Sequence, residues 1–148
     1  PSIRMGMMAV SENVIKKVGE LRSLIDVQGD NTMELAILDL IEQGTIRRHI
    51  KEATLLYAER KNYLCSQLRK LGDKVRFVKP TGGLAVWVSF PREQNKTLTV
   101  EMLEKQLAEN GISVLVFQLP SAEVGIRIGY ASLSTADIDK LISFLALA

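Results

Sequence analysis

The sequence predicts an α+β fold in which helices pack on one face of a small, mainly antiparallel sheet, preceded by a long bridging helix. Apolar residues recur at helical spacing from Val14 to Leu71. Short segments of alternating apolar residues, separated by turn residues, then predict strands. Ser134 and Asp137 form an S-x-x-D capping box that begins a last helix. The predicted order is β-α-α-α, followed by ββαββα.

The first half is predicted to be mostly helical. Ile3 to Val10 is apolar enough for a buried strand, and Val14 to Ile25 carries the stripe of a first helix. Asn31 or Thr32 is expected to cap the second helix. The third, from Thr45 to Leu71, has a length of roughly 40 Å at 1.5 Å per residue. A helix of this length in so short a chain is expected to bridge two layers or domains.

The second half alternates strands and helices. Pro80 and the following Thr-Gly-Gly predict a turn, which makes the two strands around it a hairpin. Trp87 is expected to be a core residue of its strand. The predicted strands are Lys74 to Lys79, Leu84 to Phe90, Ile112 to Phe117 and Val124 to Ala131, and a helix is predicted from Thr99 to Asn110.

The composition of the chain argues against several classes of function. The chain has 148 residues, enough for one domain with a substantial core, and a net charge of +2, which gives no strong field for nucleic acid or a membrane. The single cysteine, Cys65, excludes an internal disulfide and a cysteine-based metal site, and favours the cytoplasm. No apolar run approaches the roughly 18 residues of a membrane span. We therefore expect no metal and no membrane partner.

Arg127 is the strongest candidate for a binding residue. It lies in the stretch EVGIRIGYASLS, where Gly125, Arg127 and Gly129 share one face of a predicted strand. Glycine in a strand often marks a close approach, and a guanidinium matches a carboxylate with two parallel hydrogen bonds. The simpler alternative is a solvent-exposed residue on an edge strand. Arg4 and Gly6, in SIRMG, repeat the arrangement near the start of the chain.

These segments resemble fold-type I, pyridoxal 5′-phosphate (PLP) dependent enzymes of the class I/II aminotransferase group. PSIRMGMMAVSENVIKKV resembles the G-x-R-x-G region that follows the cofactor-binding lysine of that family. KPTGGLAVWVSF resembles its P-x-G-G hairpin, and GIRIGYASLSTADIDKLISFL its last strand and helix. The middle, from Leu21 to Leu64, resembles the MocR-type regulators of the GntR superfamily, which join a winged helix-turn-helix to an aminotransferase-like domain.

The resemblance implies a role for both arginines. Arg4 would bind the phosphate of PLP, and Arg127 the carboxylate of a substrate or effector; the expected small-molecule partner is an amino acid or amine effector. The Schiff-base lysine is expected before Pro1, so this piece alone is expected neither to catalyse transamination nor to hold PLP. The chain opens without an initiator methionine, and we interpret it as a fragment. Residues 1–30 would be the tail of the large domain, and residues 31–148 the bridging helices and the small C-terminal domain.

Three functions remain as alternatives. The first is part of the effector-sensing domain of a cytoplasmic transcription regulator, homodimeric as the full-length protein and binding DNA through an upstream winged helix. The second is the C-terminal part of a true aminotransferase. The third is an α+β oligomerisation or ligand module in which Arg127 is merely exposed. The identity of the effector and the target genes cannot be inferred from the sequence.

Overall fold

The computed structural model describes residue 6, residues 8–25 and residues 30–147. Five helices, a short 3₁₀ turn and four strands are formed in these ranges. In chain order they are α1 (Glu12–Ile25), α2 (Asn31–Glu42), α3 (Thr45–Lys70), the 3₁₀ turn (Gly72–Lys74), β1 (Arg76–Phe77), β2 (Ala85–Phe90), α4 (Val100–Glu109), β3 (Leu115–Gln118), β4 (Val124–Gly129) and α5 (Thr135–Leu147).

The chain divides into two compact units, Pro1–Lys51 and Glu52–Ala148. The first contains α1 and α2, neither of which has a buried residue. Asp30, rather than the expected Asn31 or Thr32, caps α2 by accepting a hydrogen bond from the Met33 N–H at 3.0 Å. The helical prediction is confirmed here, but the apolar stripe of α1 is exposed, and that of α2 is at most half-buried, at Met33, Ile37 and Leu40.

The buried strand predicted for residues 3–10 is not formed at the positions that the structure describes. Gly6 and residues 8–10 belong to no strand, and Met8 and Val10 are exposed. A strand needs a neighbour to receive its backbone hydrogen bonds, and none of the described strands pairs with these residues. The other positions of the prediction lie outside the described residues.

The second unit contains the sheet and its core. Its strands have the order β1-β2-β4-β3, and every neighbouring pair is antiparallel. Helices α3, α4 and α5 supply buried side chains to the same core as one face of this sheet, which confirms the predicted α+β arrangement. The fully buried members include Leu64, Leu68, Val86, Leu103, Ile126, Ile128 and Ile138.

Local signals begin and end the helices of this unit where the sequence predicts. The Ser134 N–H and hydroxyl donate to one carboxylate oxygen of Asp137 at 2.8 Å and 2.6 Å, and the Asp137 N–H donates to the Ser134 hydroxyl at 3.2 Å. This is the predicted capping box of α5. Thr99 caps α4 through the Met102 N–H at 3.2 Å.

The strands are shorter than the apolar segments that predicted them. β1 has two residues, Arg76 and Phe77, where the sequence predicted a strand from Lys74 to Lys79. A segment becomes a strand only where a neighbour accepts its hydrogen bonds, and here only Ser89 and Val88 of β2 do so.

In the described ranges, no helix combines the length and the apolar character needed to cross a membrane.

Candidate functional site

Arg127 lies in the middle of β4, which has β2 on one side and β3 on the other. Trp87 of β2 and Leu115 of β3 are its direct cross-strand neighbours. The adjacent Ile126 and Ile128 are fully buried against the helices, whereas Arg127 is exposed on the opposite face. Because β4 is an inner strand, Arg127 does not lie on an edge of the sheet, but the solvent exposure that the simpler alternative expects is present. We call the face that carries Arg127 the open face of the sheet.

The two glycines beside Arg127 differ in what lies above them. A Cβ atom added to Gly125 would come within 2.7 Å and 2.8 Å of two ring carbons of Phe117. The interpretation that both glycines leave room beside the guanidinium is therefore wrong for Gly125, since the Phe117 ring occupies that space. At Gly129 an added Cβ would meet only the Leu84 carbonyl oxygen, at 3.9 Å. The space beside Arg127 is open on the Gly129 side.

Trp87 forms an aromatic pair with Phe117 on the open face. The ring centroids are 5.0 Å apart, with the planes inclined by 69°, which is an edge-to-face contact. Trp87 is 56% exposed, so the prediction that it is a core residue is wrong. Its register explains this, because Trp87 pairs with Arg127 while Val86 and Val88 pair with the buried Ile128 and Ile126.

An apolar groove of about 530 Å³ lies beside this aromatic pair. Its volume falls within the range of small-molecule pockets. Arg76 lines one side and forms ion pairs with Glu93 at 3.5 Å and Glu123 at 3.3 Å. The groove is lined mainly by apolar side chains, among them Phe77, Val78, Pro80, Ala85, Trp87 and Phe117.

The Arg127 guanidinium has no ion pair and no hydrogen bond to any residue in the described ranges. Arg76, on the same sheet, is neutralised by two carboxylates. Of these two cations on the sheet, only Arg127 is therefore available to bind an anion from solution.

Tyr130 fixes the turn before β2 next to the end of β4. Its hydroxyl donates to the Gly83 carbonyl, and its N–H donates to the Leu84 carbonyl at 2.9 Å. Gly83 has φ +82°, a left-handed conformation that favours glycine. Burial raises the pKa of the Tyr130 hydroxyl. Tyr130 continues the alternation of the buried Ile126 and Ile128 and is itself buried, but its bond to a turn 47 residues away is visible only in the structure.

Arg4, the predicted ligand of the PLP phosphate, lies outside the described residues. The described residues that we assign to a candidate site are thus those around Arg127. In the same ranges, no group of three or more histidine, cysteine, aspartate or glutamate side chains is arranged to hold a metal ion.

Solved structures with the same fold include aminotransferases. The α-aminoadipate aminotransferase LysN from Thermus thermophilus, solved with N-(5′-phosphopyridoxyl)-L-leucine, has a TM-score of 0.73 at 19% identity, over 94% of this chain and 36% of that one. The kynurenine aminotransferase of Pyrococcus horikoshii has a TM-score of 0.74 at 17% identity, over 92% of this chain and 34% of that one. At these identities, the likeness establishes the fold.

Curated relatives include both enzymes and regulators. Aminotransferase tdiD of Emericella nidulans is 27% identical over 150 residues, covering 95% of this chain and 34% of tdiD. The HTH-type transcriptional regulator NorG of Staphylococcus aureus is 23% identical over 143 residues, covering 93% of this chain and 31% of NorG. The chain thus spans about a third of the length of these relatives.

The family model for aminotransferase class I and II matches residues 1–145, nearly the whole chain. This agrees with the fold of the second unit and with the resemblance of the motifs around Arg127. The chain belongs to the aminotransferase class I and II family.

Proposed function

We propose that Arg127 binds the carboxylate of an amino acid in the effector-sensing domain of a cytoplasmic, homodimeric transcription regulator. The observation that carries the proposal is the unpaired guanidinium on an inner strand, with open space on the Gly129 side. An arginine held this way presents a planar fork of donors, which matches the two oxygens of a carboxylate. The likeness to NorG, which covers 93% of this chain, supports the regulatory role.

The sheet holds the backbone of Arg127 in place before a ligand binds. Its backbone is fixed by pairing on both sides, with Trp87 and with Leu115. Little backbone freedom remains to be lost when a ligand binds, which favours affinity. Because Arg127 is exposed, an anion can reach its guanidinium directly from solution. The stem of Arg127 can pack along Trp87 while its charged end meets the ligand.

In the proposed regulator, amino-acid binding changes the balance between two domain arrangements. A ligand shifts such a balance only by its difference in affinity for the two states, so Arg127 must bind the carboxylate more tightly in one state than in the other. That state would alter the geometry of winged-helix domains upstream of this chain.

The whole protein would also bind PLP, with Arg4 holding the phosphate of the cofactor. When bound, PLP supplies an electron sink for amino-acid chemistry.

A true aminotransferase is the second candidate. The likeness to tdiD, at 27% identity over 95% of this chain, favours it. Arg127 would have the same contact with the substrate carboxylate in that enzyme. The net reaction would pass an amino group from an amino acid to a 2-oxo acid, which leaves a new amino acid and a new 2-oxo acid. Amino-acid binding would thus lead to a chemical reaction in the enzyme and to a change in DNA binding in the regulator.

The role of Arg127 is tested by titrating the full-length protein that contains this chain with L-alanine in a calorimeter. Charged hydrogen bonds contribute about 1.5–3 kcal/mol, so Arg127→Gln should weaken binding by roughly tenfold to a hundredfold. Arg69→Gln, at an exposed position near the end of α3, is the matched control and should bind as the wild type does. Equal affinity of Arg127→Gln and the wild type would refute the proposal.

Regulator and enzyme are then separated in two assays on the same preparation. A regulator should bind its own promoter DNA in a gel-shift assay, with an affinity that changes when the amino acid is added and no longer changes in Arg127→Gln. An enzyme should convert an amino acid and a 2-oxo acid, and its DNA binding should be absent. The coding region before Pro1 gives an independent check, because only the regulator requires a winged-helix segment there.

A further inference from the structure

The groove beside Trp87 adjoins the only unpaired guanidinium that we find on the described sheet. Ala85, Trp87 and Ser89 line it from β2, and each is the cross-strand neighbour of a β4 residue: Gly129, Arg127 and Gly125 respectively. Directly opposed side chains have Cβ atoms about 5 Å apart. The groove therefore begins one strand away from the cation.

We propose that this groove binds the side chain of the amino acid whose carboxylate Arg127 holds, and that it selects a large apolar or aromatic side chain. This inference rests on the proposed function of Arg127. An apolar groove next to one free cation is complementary to an apolar group that carries one carboxylate. Phenylalanine has this form, since only its α- and β-carbons separate the ring from the carboxylate.

The charges at the groove argue against an acidic side chain. Arg76, the cation on its lining, already pairs with Glu93 and Glu123. This cluster of one cation and two carboxylates has a net negative charge, which repels a second carboxylate on the ligand. The remaining polar side chain from β2 in the groove is Ser89, which has no charge. L-aspartate and L-glutamate are therefore disfavoured.

The aromatic pair gives the groove its shape. Gly125 allows the Phe117 ring to lie across β4, because any Cβ there would meet that ring. In this position Phe117 contacts Trp87 edge to face, and the 56% exposed indole presents the rest of its surface to the groove. A ligand ring can add a further stacked or edge-to-face contact with it, worth about 1 kcal/mol beyond the area buried.

Trp87→Ala tests the selection in the full-length protein. We expect the affinity for L-phenylalanine relative to L-alanine, measured by calorimetry, to fall by roughly tenfold. Met102→Ala is the control. Met102 lies on α4 and is 45% exposed, so this substitution also removes an exposed apolar side chain, but one that is outside the groove. This variant should keep the wild-type ratio. An unchanged ratio in Trp87→Ala would overturn the inference.

The wild-type protein gives a second test that needs no variant to fold. L-phenylalanine should bind more tightly than L-alanine, L-aspartate and L-glutamate. If L-aspartate or L-alanine binds as tightly as L-phenylalanine, the groove does not select the side chain. The two proposals can fail separately. If the wild type shows no preference for L-phenylalanine but Arg127→Gln still binds amino acids weakly, only the proposal for the groove is refuted. If Arg127→Gln binds amino acids as tightly as the wild type, both proposals are refuted.

Discussion

The two glycines of β4 should respond in opposite ways to the addition of one methyl group. Gly125 and Gly129 lie on the same face of the same strand, at equal distances from Arg127 along the chain. In Gly125→Ala the new Cβ would lie 2.7 Å from the Phe117 ring, and ordinary van der Waals contact begins at 3.4 Å. In Gly129→Ala the nearest atom is a carbonyl oxygen at 3.9 Å, so nothing has to move.

The expected free energies reflect this difference. Gly125→Ala forces the Phe117 ring away from the strand and disturbs its contact with Trp87, and overpacking of this kind costs about 1–3 kcal/mol. Gly129→Ala adds no clash, and replacing glycine lowers the entropy of the unfolded chain. It should be neutral or stabilise the chain by up to about 1 kcal/mol.

Urea unfolding of the 148-residue chain measures both variants. Trp87 is the only tryptophan, so tryptophan fluorescence reports on the open face directly. The circular dichroism of the helices reports on the unfolding of the whole chain. Gly125→Ala should also shift the emission of the folded state, whereas Gly129→Ala should leave it unchanged. Equal stabilities of the two variants, or a greater loss in Gly129→Ala, would refute the account of which glycine the Phe117 ring requires.

Two further predictions concern the frame around the site. Tyr130→Phe removes the hydrogen bond to the Gly83 carbonyl and should lower the free energy of unfolding by about 1 kcal/mol, measured in urea; no loss would mean that the turn does not depend on it. The hydrogen bonds from the Ser134 hydroxyl and N–H lower the pKa of Asp137 below its ordinary value of 3.8. The stabilisation from this pair is therefore complete above that value and is lost as the pH falls through the lower pKa of the folded state. In Ser134→Ala, thermal unfolding should depend less on pH in this acidic range; an unchanged acid profile would contradict the capping assignment.

Much of the fold depends on local signals in the sequence. The glycine that follows α2 and the capping box of α5 each act within a few residues, so the sequence contains the whole interaction. The alternation in β4 likewise predicts that Ile126 and Ile128 are buried and that Arg127 faces the other way. The capping residue of α2 was misassigned by only one position, since aspartate and asparagine both cap helices well.

The sequence predicts the hairpin of β1 and β2, which the structure confirms, but it could not assign a neighbour to any other strand. β1 shrinks to two residues, and residues 8–10 form no strand, because strand length depends on a partner that is distant in the chain. The same limit explains Trp87: an apolar, aromatic residue in an alternating strand can lie on either face, and only the register against β4 decides which.

The sequence by itself determined the α+β class, the helices of the second unit with the caps of α4 and α5, and Arg127 as the strongest candidate for a binding residue. These depend on residue type and on spacing along the chain. The tertiary structure alone decided that Arg127 is on an inner strand, that Phe117 fills the space at Gly125, and that Trp87 opens onto a groove beside the free guanidinium. Each of these depends on the pairing of strands far apart in the sequence, and such contacts are fixed only when the chain packs.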